Sequence, residues 1–281
     1  MCRYNYLLMK GFCMKKMKNI WLNGFFRAWE MLYCFPLEDR CPDFLKIDTA
    51  NCKGVHVMSG FLTASFAFGL FFVILSWILT SVFGIVPGAI AGALAMTAIL
   101  LWCDHCAGVT LVANMLTKKF KGAKMGDILL EQNSDPERIN SGIGSAIFSV
   151  LILLKAVFFY FIIQSQNFYL LILIMLAGAF TQAYALNAHT GKAAFFGFAN
   201  SSERNIFYLT AILLLLLGSK FNMMISLAFL GGIFLWNYWI KESFIKLAYG
   251  KSDESITFYG ECAIMIASLI ALIYSAGAFQ A

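Results

Sequence analysis

Residues 102–144 read WCDHCAGVTLVANMLTKKFKGAKMGDILLEQNSDPERINSGIG, and the chain on either side of them is almost pure hydrocarbon. Residues 88–101 (GAIAGALAMTAILL) and 145–154 (SAIFSVLILL) carry no charged group at all. Within the quoted stretch the character reverses: Asp104 stands at the end of one apolar run, followed by Lys118, Lys119, Lys121 and Lys124 and then by Asp127, Glu131, Asp135 and Glu137. A polar loop between two hydrocarbon segments is the pattern of a membrane protein, in which charge is confined to the loops. If the protein acts on charged substrates, this loop and its neighbours are where that chemistry is expected.

Working outward, the same alternation covers the whole chain. Of 281 residues, 60% are hydrophobic and only 13% are charged, and the mean hydropathy is +0.76. Soluble domains sit near half apolar and a quarter charged. Apolar stretches are expected to span at 57–83, 88–103, 143–163, 169–189, 205–218, 222–240 and 256–278. Crossing a hydrocarbon core of about 30 Å takes roughly 20 helical residues. The fold class read from this is all-α: a polytopic transmembrane bundle of about seven spans. It divides into a segment 1–56 and a bundle 57–281 containing the loop 117–141.

Charge gives the orientation. With the N-terminus inside, nineteen Lys and Arg fall on the cytoplasmic side, only Lys220 falls on the other, and Lys155 lies within a span. Cytoplasmic loops collect Lys and Arg because of how helices insert. The net charge of +6 is therefore read as topology rather than as a nucleic-acid footprint, and localisation as the cytoplasmic (inner) membrane with its active face inward.

The segment before the first span has two parts. Residues 1–17 are basic, offer Met9, Met14 and Met17 as later starts, and are too short and polar for a signal peptide. Residues 18–35 place Ile20, Phe25, Trp29 and Leu32 on a helical stripe that Trp21, Phe26 and Tyr33 broaden. That is an amphipathic helix, lying in the membrane interface or docked on the bundle, and Pro36 ends it. The eight cysteines give no metal pattern, because Cys103 and Cys106 around Asp104 and His105 lack a second ligand pair. Small residues at a helix contact explain them.

Ionisable groups inside spans usually face a bundle interior or a cavity. Three qualify: Asp104, Lys155 and Glu261, with Asp253 and Glu254 just before the last span. Lys155 lies too deep to snorkel and is expected to have an internal partner; Asp104 either pairs with it, caps a helix or binds a ligand. Carboxylates gathered at one membrane face suit Mg²⁺, which takes oxygen ligands and arrives with phosphates. The acids of 127–137 also fit a solvated loop. Asn187 and His189 are candidates for a polar cavity, and no P-loop, Rossmann glycine pattern, nucleophile elbow or zinc-protease motif occurs.

In order and length these features resemble cobalamin synthase, the membrane enzyme adenosylcobinamide-GDP ribazoletransferase. WLNGFFRAWEMLYCFP resembles that family's opening amphipathic segment, LLWCDHCAG its acidic motif with Asp104 on the first aspartate, NSGIGSAIFSVLILLK its Asp-Ser-Arg-Ile-Gly segment with Lys155, and KSDESITFYGE its Thr-Gly-Asp segment with Asp253 and Glu261. The resemblance implies Mg²⁺ held by Asp104, Asp253, Glu261 and Asp127, and a catalytic role for Asp104 and Lys155, the latter facing phosphate or orienting a carboxylate. It implies substrates in the form of a nucleotide-activated corrinoid and α-ribazole or its 5′-phosphate, with GMP released, a lipid bilayer as solvent, and room for a homo-oligomer. The chain departs from the pattern where two further acids of the first motif are Gly108 and Leu111, where the middle motif has Asn140 and Gly142, and where Thr181-Gln182-Ala183 replaces Gly-Arg-Trp. Two other readings stay open: a non-catalytic relative that keeps the bundle, and a small-solute transporter using Asp104 and Lys155.

Overall fold

The computed structural model describes residues 20–33, 54–103, 107–120, 142–188, 201–239 and 254–277. Among these, every regular element is helical: α1 (Ile20–Tyr33), α2 (Gly54–Phe83), α3 (Ile85–Cys103), α4 (Ala107–Phe120), α5 (Gly142–Gln164), α6 (Tyr169–Ala188), α7 (Ser201–Gly218), α8 (Met223–Trp239) and α9 (Glu254–Ser275). Each apolar stretch expected from the sequence forms one helix, with ends displaced by no more than about a turn. Four of them, in α2, α3, α5 and α9, are long and apolar enough to cross a membrane. Phe71, Trp77, Leu94, Leu153, Leu213 and Phe234 are among the large apolar side chains these helices and α7 and α8 turn outward. Such continuous exposed apolar surface is foreign to soluble monomers and is what a lipid-facing bundle presents.

The helices α2, α3 and α5–α9 alternate in direction, and their short connections gather at one end. Gly84 alone separates α2 from α3, at φ +85°, a conformation open to glycine without a Cβ penalty. The two helices then run antiparallel: the Ser76 hydroxyl reaches the Met96 sulfur at 3.6 Å. Gly92 of α3 faces Ile163 near the end of α5, so the turn at 165–168 lies at the same end. The connection from α7 to α8 joins them. The Lys220 ammonium stands 5.1 Å from the centre of the Tyr169 ring, and Asn222 Nδ2 donates to Tyr274 Oη at 3.0 Å. Asn222 also caps α8, its Oδ1 accepting from the Ile225 N–H at 3.3 Å.

The centre of the bundle is α6. Every residue from Leu170 to Thr181 is buried, and α2, α7, α8 and α9 all pack on this helix. A helix apolar on all sides belongs in the interior. Glycines let the neighbours close in: a methyl on Gly69 of α2 would stand 2.7 Å from Ile172 Cα. One on Gly178 would stand 2.7 Å from Ile264 of α9. In lipid, where hydrophobic association between helices is weak, such close backbone contact is a principal source of adhesion.

α1 is docked on the bundle, alongside α2 and parallel to it. The Trp21 and His56 rings meet at 4.6 Å and the Trp29 and Phe68 rings at 5.9 Å. Between them Gly24 and Gly60 pass so closely that a methyl on Gly60 would collide with the Gly24 carbonyl. The buried face of α1 is Asn23, Gly24 and Ala28, while Trp21 is half exposed. Phe25 and Trp29 pack partly buried beside this seam, where the two backbones come too close for large rings between them.

Candidate functional site

Lys155 and Glu261 are each costly in hydrocarbon, and the fold disposes of both at once. Lys155 projects from α5 and Glu261 from α9, with Nζ 2.6 Å from Oε1. Their exposures are 2% and 6%, so neither charge is screened by bulk water. α4 packs against both helices. In a buried ion pair of this kind mutual attraction offsets part of what each charge loses on leaving water, and removing one member strands the other. The internal partner expected for Lys155 is thus Glu261, from the opposite end of the sequence.

The other predicted site residues divide cleanly. Asp104, Asp127 and Asp253 lie outside the described residues, as do Glu131, Asp135, Glu137 and His189. Gly108 and Leu111, at the positions where the resembled family carries further acids, are both buried on α4, and Leu111 belongs to the main apolar core. Thr117 closes the same helix with its hydroxyl donated to the Ala113 carbonyl at 2.7 Å. The α4 surface turned to the bundle is accordingly apolar over its middle turns.

On the far side of Glu261, α9 meets α6 through Gly260, where an added methyl would collide with the Gln182 side chain. Gln182 therefore lies against the backbone one residue before Glu261. Nothing in the sequence singles it out beyond its place in the Thr181-Gln182-Ala183 segment. Its signal is the pairing of a glycine on one helix with a long polar side chain on the next, which needs the helix register to be seen.

A magnesium site can be tested against these groups. Among the described residues no cluster of three His, Cys, Asp or Glu side chains occurs. Glu261 is bound to a lysine ammonium, which occupies one of its oxygens and balances its charge. The described residues therefore do not by themselves fit Mg²⁺, whose protein sites use one or two carboxylates free to face the ion and substrate phosphates. Cys103 and Cys262, both partly buried, are thiols rather than halves of a disulfide, and Cys103 packs against the core as a small apolar residue. No protein-family model, no curated protein and no solved structure matches the chain.

Proposed function

We propose that the chain is an integral protein of the cytoplasmic membrane that crosses it seven times, as α2, α3 and α5–α9, with its N-terminus and the loop after α4 in the cytosol. Alternating helix directions and the gathering of the short turns at one end support this. Lys220 is the sole charged residue in those turns. The charge-rich segments belong to the other end, as insertion requires.

Within that frame the reading the sequence favours is a membrane-embedded transferase of the cobalamin synthase type. A free ribose hydroxyl of α-ribazole, or of its 5′-phosphate, attacks the cobinamide-linked phosphorus of adenosylcobinamide-GDP. The new P–O bond forms as the bond to the GMP oxygen breaks, and the attacking hydroxyl gives up its proton. The observation that carries the reading is that Lys155 and Glu261 meet, although the resemblance draws them from two separate motifs. Lys155 acts as a positioning residue that holds the Glu261 carboxylate at the bundle interior. Asp104, Asp127 and Asp253 are the acids left to face a metal and substrate.

A second reading has its own observation. Leu111 sits in the apolar core at a position where the family has an acid, which favours a relative that keeps the bundle and has given up the chemistry. Detergent-purified protein incubated with Mg²⁺, adenosylcobinamide-GDP and α-ribazole, and followed for GMP and cobalamin by mass spectrometry, separates the two. Product that disappears in Asp104→Ala supports the transferase. No product, from folded protein beside an active authentic synthase, sinks it.

A further inference from the structure

The turn from α7 to α8 is made of residues ill suited to it. The Phe221 N–H donates to the Leu216 carbonyl at 2.8 Å and the Lys220 N–H to the Leu217 carbonyl at 3.2 Å. These are the paired bonds with which a helix end reverses through a left-handed residue, usually glycine. Here two side chains take that conformation in succession, Lys220 at φ +55° and Phe221 at φ +61°, where a Cβ crowds the following carbonyl. The rest of the turn holds them there. The Asn222 N–H donates to the Ser219 carbonyl at 3.1 Å, and the buried Ser219 and Ser226 hydroxyls share a hydrogen bond of 2.6 Å. Glycine would serve this backbone better, so the use of the two side chains lies in what they present.

They present a fixed cation in apolar surroundings. Lys220 is exposed, and the Tyr169 ring under its ammonium attracts the charge without neutralising it. Segments 84–87, 165–168 and 219–222, which turn at this end, contain no Asp or Glu. Around the lysine, Phe221, Met223 and Met224 are each more than half exposed, and Leu227 continues their face one turn along α8. In a bilayer the end of a spanning helix lies at the headgroup level. At that depth the ammonium meets lipid phosphates and the methionines meet acyl chains.

We propose that the α7–α8 turn is a docking point for an anionic phospholipid, one whose headgroup carries a phosphate and no cation of its own. Lys220 takes the phosphate, and an acyl chain lies along Met223, Met224 and Leu227. Charge complementarity selects this occupant. A zwitterionic headgroup already answers its phosphate with its own ammonium, and an apolar protein helix would leave Lys220 unanswered. The site rests on the membrane reading of the bundle and is independent of the transferase reading.

The test uses the full chain in nanodiscs of phosphatidylcholine, with Phe221→Trp as a reporter beside Lys220. Bromine on a lipid chain quenches nearby indoles, and the quenching that Phe221→Trp adds to that of the parent chain reports the lipid at this turn. Brominated phosphatidylglycerol is expected to quench this component at about one-fifth of the mole fraction that brominated phosphatidylcholine requires, the worth of one lysine facing an anionic lipid. In the same background Lys220→Gln should bring the two lipids level. Lys220→Gly should do so too while raising the melting temperature, since it relieves the turn. Equal quenching by the two lipids with Lys220 in place overturns the proposal, and so does a preference that survives in folded Lys220→Gln. Abolition of the preference by millimolar inorganic phosphate overturns it in favour of a soluble anion. Quenching by neither lipid would overturn it together with the membrane reading of this end.

Discussion

Lys155 on α5 and Glu261 on α9 stand 2.6 Å apart in the interior of the bundle, and each is the reason the other is tolerated there. Lys155→Met or Glu261→Gln alone should destabilise the protein by about 3–5 kcal/mol, since each leaves a charge or its partner's donors unmatched in a low-dielectric site. The double variant Lys155→Met with Glu261→Leu should recover most of that loss. Thermal or chemical unfolding of the purified protein, set out as a double-mutant cycle, measures the coupling. Losses that simply add would mean the pair contributes nothing as a pair.

The seam between α1 and α2 has no room for a side chain at Gly60. Gly60→Leu should lever α1 away, with a loss of about 1–3 kcal/mol in the packing of that contact. Arg27 lies within α1, so trypsin cleavage after it provides the readout. Faster cleavage in the variant, with the rest of the bundle intact, is the expected result; an unchanged rate would place α1 elsewhere.

Gly260 and Gln182 make the corresponding contact between α9 and α6. Gly260→Ala is expected to destabilise, because the new methyl meets the Gln182 side chain, and Gln182→Ala should relieve it in the double variant. A coupling of about 0.5–3 kcal/mol is typical of touching residues. Were Gly260→Ala neutral by itself, the close approach of the two helices would be in doubt.

Topology has a direct test in a cysteine-free background. Lys220→Cys should react with a membrane-impermeant maleimide added to intact cells, and Lys118→Cys only after permeabilisation. The opposite pattern would reverse the orientation, and labelling of both from outside would break the scheme of seven crossings.

Much of the fold is legible in the sequence because hydrocarbon runs of bilayer length have few alternatives. Gly84 and Pro87 mark the turn from α2 to α3, and the helices begin and end near where the apolar runs do. What is not legible is which face of each helix turns inward. In water the large apolar side chains would settle that, but in lipid they are equally at home outside. Hence Gly24 and Ala28 of α1 and Gly60 of α2 mark the closest approach, with Phe25 and Trp29 packed beside it. The same holds at the candidate site. Lys155 reads as buried because it is too deep to reach either surface, yet only the folded register identifies Glu261 as a partner.

The order of synthesis gives the ionic pair another meaning. α2 with α3, α5 with α6, and α7 with α8 are each hairpins closed by a short turn at one end, able to enter the bilayer two helices at a time. α9 follows these hairpins, bringing the carboxylate for a lysine that has been in place since α5. Until then the nascent bundle carries a bare ammonium at its heart. A ribosome that stalls before α9 therefore releases a product that differs from the finished protein in an uncompensated intramembrane charge, the kind of mark by which membrane quality control distinguishes an orphan from a complete chain.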